Sequence, residues 1–164
     1  MTTETGSSPG VPDYNRIQIV PDQDMEEWWN LTKEKKFTLA HCSGCNHKWF
    51  PPFPACSKCG SMKIDFVEIQ GKGEIYTYNV VVQLILGHMV PAVPYCVAIV
   101  ELPDGNNPAG SKTRVPALMR DGEEDMAIGL PVELEWDKHP SQEYHIPRWK
   151  LSAKTAPNTW KFPL

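Results

Sequence analysis

The chain has 164 residues, 41% hydrophobic and 22% charged, with 16 prolines and a formal net charge of −4. That length suits one medium domain or two small modules, excludes a large multidomain enzyme, and allows roughly 70% of the unfolded surface to be buried. No apolar run reaches the ~20 residues of a membrane helix, and the polar start MTTETGSSPGVPDYN lacks the basic and apolar regions of a signal peptide, so a cytoplasmic protein with no membrane partner is expected.

Residues 1–23 are polar and aperiodic, which predicts a flexible N-terminal segment. Residues 24–36 predict a helix. Asp24 and Glu27 have capping-box spacing, Trp28, Trp29 and Leu31 supply an apolar face, and Lys33, Lys35 and Lys36 suit the C-terminal end of the dipole.

Residues 37–61 predict a zinc ribbon. Cys42-x-x-Cys45 and Cys56-x-x-Cys59 form two turns that each present a pair of thiolates. Together they supply the four sulfurs that Zn²⁺ takes at ~2.3 Å. Four cysteines close the shell and leave no position for a substrate, so the expected Zn²⁺ is structural. His41 and His47 beside the first turn read as surface residues. Cys96 lies in the apolar run Tyr95–Val100 without a local cation and reads as a buried, inert thiol.

Residues 62–137 alternate apolar and polar positions in five runs: 64–70, 74–83, 95–102, 114–119 and 131–136. Gly- and Pro-rich turns between them predict a small Greek-key barrel of the OB type. The expected fold class is therefore mainly β: an N-terminal helix, a four-cysteine zinc ribbon, a five-stranded OB-fold barrel and an extended C-terminal tail. Residues 138–164 form that basic, aromatic tail, with five cations against Glu143 alone; it either packs back on its own barrel or is an arm that docks on another surface. Residues 73–137 carry ten acids against three cations, a net of −7. Ribbons and OB barrels bind nucleic acid elsewhere, but an acidic barrel lacks the basic face a phosphate-tracking groove needs. No phosphate-binding Gly loop, nucleophile elbow or helix-borne His-Glu pair is present, so no catalytic residue is assigned.

Several motifs follow in order: Glu26-Glu-Trp-Trp29, the ribbon with Phe50-Pro-Pro-Phe-Pro54, Cys59-Gly-Ser61, Gly71-Lys-Gly-Glu-Ile-Tyr-Thr-Tyr78, Pro94–Leu102 and Ile128-Gly-Leu-Pro-Val-Glu133. This order resembles the DUF-thirty-five family over residues 24–137. The resemblance implies a non-catalytic subunit of a thiolase-superfamily complex, a hetero-oligomer acting on acyl-CoA. The reaction would be CoA-dependent C–C bond cleavage or formation, as in β-oxidation of an aromatic or steroid acid. Ribbon and barrel would help bind or gate the acyl-CoA entrance, with a coenzyme A thioester as shared ligand of the complex. The tail after Trp136 departs from the family pattern. Within it Arg148 and Lys150 are candidates for contact with CoA phosphates, and Trp149, Trp160 and Phe162 for anchoring on the partner. The alternatives are a stand-alone acyl-CoA-binding protein and a nucleic-acid-binding ribbon/OB protein.

Overall fold

The computed structural model describes residues 11–83, 87–108 and 110–161. Thr38–Cys42 (β1) is the central strand of a three-stranded antiparallel sheet, between Lys48–Trp49 (β2) and Ile64–Glu68 (β3). In its register Ala40 faces Phe66 and Cys42 faces Ile64. Glu26–Thr32 (α1) packs against one end of this sheet. It begins at Glu26, later than the capping-box spacing predicts, after a turn in which Asp22 Oδ1 accepts the Met25 N–H at 2.9 Å. It ends before the lysines, with Lys35 in the left-handed region at φ 59°. Trp28 is its anchor: the ring meets Trp29, Phe37 and Phe50 edge-on at 5.0, 5.4 and 5.3 Å. Its indole N–H donates to the Thr38 carbonyl, so the burial leaves no polar orphan.

The second sheet has five antiparallel strands: Lys72–Val81 (β4), Tyr95–Asn106 (β5), Lys112–Leu118 (β6), Pro131–Lys138 (β7) and His145–Leu151 (β8), in the order β6-β5-β4-β7-β8. Its two edges meet just beyond β6. Met119 bridges Trp149 in parallel, and the Arg120 N–H donates to the Trp149 carbonyl at 2.8 Å. This is the partly open, five-stranded barrel of an OB-fold. Ile75, Val100, Leu102, Val115 and Val132 fill it, each at most 1% exposed. Gly73 lets two strands close up, since a Cβ there would sit 2.2 Å from Val100 Cγ1.

Strand membership differs from the sequence reading at both ends of the 62–137 segment. Residues 64–68 pair with β1 and belong to the ribbon sheet. The fifth barrel strand, β8, comes from the 138–164 segment expected as a tail; it pairs along its whole length with β7. Pro147 and the charges at positions 148 and 150 disguise β8, because proline and unpaired charges both argue against an interior strand. Beyond β8 the chain folds back, and Trp160 exchanges two backbone hydrogen bonds with Ile128, at 2.8 and 3.0 Å.

The N-terminal segment differs as well. From residue 11 it forms a strap across the loop that precedes β5 and the β7–β8 hairpin. The Asp13 N–H donates to the His88 carbonyl at 2.8 Å. His139 Nε2 meets the Ile17 carbonyl at 2.9 Å, while its Nδ1 accepts the Ser141 and Gln142 N–H groups, which fixes the Nε2–H tautomer. The Gln142 amide holds both backbone groups of Ile19 at 2.9 Å, as a strand partner would. A strap held through its backbone leaves no periodic signature, which is why composition reads it as flexible. Among the described residues, no helix is long and apolar enough to cross a membrane.

Candidate metal centre

Two reverse turns build the centre. Cys42 ends β1, and its carbonyl accepts the N–H groups of Cys45 (3.3 Å) and Asn46 (2.7 Å), with Asn46 at φ 60°. In the second turn the Cys56 carbonyl accepts the Gly60 N–H at 2.8 Å, and Gly60 takes φ 73°, a conformation that costs glycine little. The four sulfurs lie within 4.8 Å of one another, with Cys42–Cys59 and Cys45–Cys56 each at 3.6 Å. A tetrahedron with 2.3 Å metal–sulfur bonds has edges of about 3.8 Å, so the set fits a four-coordinate metal ion. The Lys58 N–H points at Cys56 Sγ from 3.4 Å, the kind of outer contact that supports a bound thiolate.

The thiols push one another apart in acidity. Burial opposes the Cys42 thiolate, but the N–H groups of Gly44 and Cys45, with the Cys59 and Cys45 thiols, outweigh it and bring Cys42 down to about 6. Cys45 is pushed up to about 12. The His47 N–H favours its thiolate, while burial and the three neighbouring sulfurs disfavour it. Four charges this close need a cation between them. His41 pairs with Asp65 at 3.6 Å and His47 stacks on Trp49 at 5.6 Å, so both stand outside the shell. Cys96 is buried, and burial, with Glu123, Glu124 and Asp121 nearby, pushes its thiol up to about 11.

The candidates in the former tail fare differently. Arg148 has no exposed side-chain area and is not available to a phosphate. Its guanidinium donates to the carbonyls of Leu118 (3.3 Å) and Met119 (2.7 Å), to the Tyr14 hydroxyl and to Asp137 (both 3.3 Å). Asp137 also accepts from Tyr14 at 2.7 Å and from Arg120. The strap, β7, β8 and the end of β6 thus meet at one carboxylate. Lys150 lies between Glu133 (3.0 Å) and Glu135 (2.6 Å) on β7, so its charge is already matched. Trp149 is 1% exposed and packs on Phe37, so it is core and not a partner anchor. Trp160 is 49% exposed. Phe162 lies outside the described residues.

One feature escapes any linear reading: a cleft of about 300 Å³ where the ribbon meets the barrel. His47, Lys48, Trp49 and Lys58 face it from the ribbon, Lys112 and Arg114 from β6. The seam is fixed by Asn107 and Thr113, which hold both backbone groups of Lys48 at 2.6–3.2 Å. The cations come from positions 48, 58, 112 and 114, and only the ribbon–barrel contact gathers them.

Residues 66–137 match the family description "ChsH2, C-terminal OB-fold domain". A DUF35 domain-containing scaffold protein of Methanocaldococcus jannaschii is 32% identical over 123 residues, covering 70% of this chain and 78% of that protein. The chain belongs to the DUF35 family. A second DUF35 scaffold protein, from Methanothermobacter thermautotrophicus, is 28% identical over 71% of this chain and 83% of its own length. A protein of Thermomonospora curvata named "Probable enoyl-CoA hydratase alpha subunit" is 32% identical over 81% of this chain, which spans only 39% of that longer protein. Among solved structures, a chain of the "Ltp2-ChsH2(DUF35) aldolase" is matched over its full length and 83% of this DUF35 protein, with TM-score 0.71 and 27% identity. A DUF35 structure from Sulfolobus solfataricus (TM-score 0.52, 18% identity, 79% and 86% covered) shares the fold.

Proposed function

We propose that this DUF35 protein is a non-catalytic accessory subunit of a thiolase-type complex acting on an acyl-CoA, and that its four cysteines hold a structural Zn²⁺. The observation that carries the reading is the match to the Ltp2–ChsH2(DUF35) aldolase, which spans the whole of that chain. The hydratase-subunit name of a second relative points to the same class of thioester substrate. The closed four-sulfur shell agrees with a metal that staples the ribbon and takes no part in turnover. In this role the subunit docks on a thiolase-like partner that carries the reacting groups, and shapes the entrance for the acyl-CoA. Co-expression with a thiolase-type protein from the same genome tests the reading. The expected result is one heteromeric peak on gel filtration and a thiolase that loses activity when expressed alone. A thiolase that is soluble and fully active by itself, with no complex formed, rejects it.

A further inference from the structure

We infer that the cleft between ribbon and barrel binds the phosphorylated nucleotide end of the acyl-CoA, an inference that rests on the accessory-subunit reading and gives its ligand a place. Charge is the first argument. The protein as a whole is at −4, yet among the described residues no carboxylate lines this cleft. Of its four cations, Lys112 and Arg114 share one acid behind the wall, Glu101, at 2.9 and 3.0 Å. Among the described residues, Lys48 Nζ donates to the Asp104 carbonyl at 2.9 Å and pairs with no carboxylate. Glu74 also acts on Lys112, so among the described residues the balance is four cations to two carboxylates, which still leaves the cleft a positive potential on an otherwise acidic molecule.

Shape and ring chemistry are the second argument. His47 and Trp49 lie nearly parallel, 15° apart, and form an aromatic wall beside the cations. The Trp49 indole N–H is buried and has no hydrogen-bond partner among the described residues. A flat base beside several phosphates matches such a site, the base on the aromatic wall and the phosphates on Lys48, Lys58, Lys112 and Arg114. The cleft volume is at the small end of ordinary ligand sites, enough for a mononucleotide. A nucleic-acid strand running on from it would meet the acids of the barrel, so a single nucleotide fits and a polymer does not. The site also replaces Arg148, which is buried, and Lys150, which is already paired with Glu133 and Glu135.

The test titrates the full-length, zinc-loaded protein with CoA and with adenosine 3′,5′-bisphosphate, by calorimetry and tryptophan fluorescence. Both ligands are expected to bind saturably below millimolar concentration, while pantetheine, which lacks the nucleotide, does not. Reversing the exposed Lys58 (Lys58→Glu) is expected to weaken both about tenfold or more. Lys35→Glu, the same charge change at a residue that does not line the cleft, is expected to change affinity less than about twofold. No saturable binding, equal effects of the two variants, or equal affinity for inorganic phosphate would each overturn the assignment. Nucleotide binding without any complex would reject the accessory role and leave the cleft standing, and a stable complex with no nucleotide binding would do the reverse.

Discussion

Replacing Arg148 by methionine, which keeps the stem and removes the guanidinium, asks what this buried side chain is for. The substitution strips the Leu118 and Met119 carbonyls of a buried donor at the point where β6 and β8 close the barrel. Each carbonyl left unmatched costs about 1–2 kcal/mol. Breaking a buried ion pair by deleting one partner costs about 3–5 kcal/mol, because the other charge stays behind. Here Asp137 keeps Tyr14 and Arg120, so the ion-pair penalty largely falls away and the two carbonyls carry the expected loss, about 3 kcal/mol in all. For a domain of this size that is a fall in Tm of about 10 °C. Urea and thermal unfolding followed by tryptophan fluorescence measure it, with zinc content as the control, since the ribbon does not use Arg148. A loss under about 1 kcal/mol would refute the argument. Unchanged stability with abolished CoA binding would return Arg148 to a ligand-binding role.

Two further outcomes follow from the same geometry. Tyr14 is pushed up to about 12, first by burial and then by Asp137 against the opposing pull of Arg148. Its neutral form is the one the fold holds, so its contribution is full below about 10 and is lost as pH rises through about 12. Tyr14→Phe is therefore expected to flatten the alkaline arm of the stability profile, and an unchanged arm would contradict the assignment. Cys42→Ser opens the sulfur shell at a buried position and is expected to abolish stoichiometric zinc by atomic absorption and to lower the melting temperature, because metal-binding free energy in such a module is folding free energy. Retained zinc and an unchanged melt would count against a structural metal.

The metal centre was legible in the sequence because its information is local: two pairs of cysteines, each three positions apart, dictate both turn and ligand. The barrel was legible as a class but not in its membership. Alternation marks a strand without naming its sheet, so residues 64–68 counted toward the barrel while β8 hid behind Pro147 and its charges. Arg148 looked like a surface group because arginine is almost never fully buried unless paired, and its partners lie at Tyr14, Leu118, Met119 and Asp137. The cationic cleft has no linear signature at all, since its walls come from segments some fifty residues apart.

The dependence of the barrel on β8 also sets an order of events during synthesis. All four sulfurs and the three strands of the ribbon sheet are contained by residue 68, whereas β7 gains its outer neighbour only when residues 145–151 have been made. A growing chain therefore completes its metal module about 80 residues before its barrel can seal. Until then β7 presents an open edge, and the side chain that ties Asp137 to the β6 carbonyls has yet to be added. The interval between those two moments is when this protein is most exposed to wrong pairing, and metal supply alone cannot shorten it.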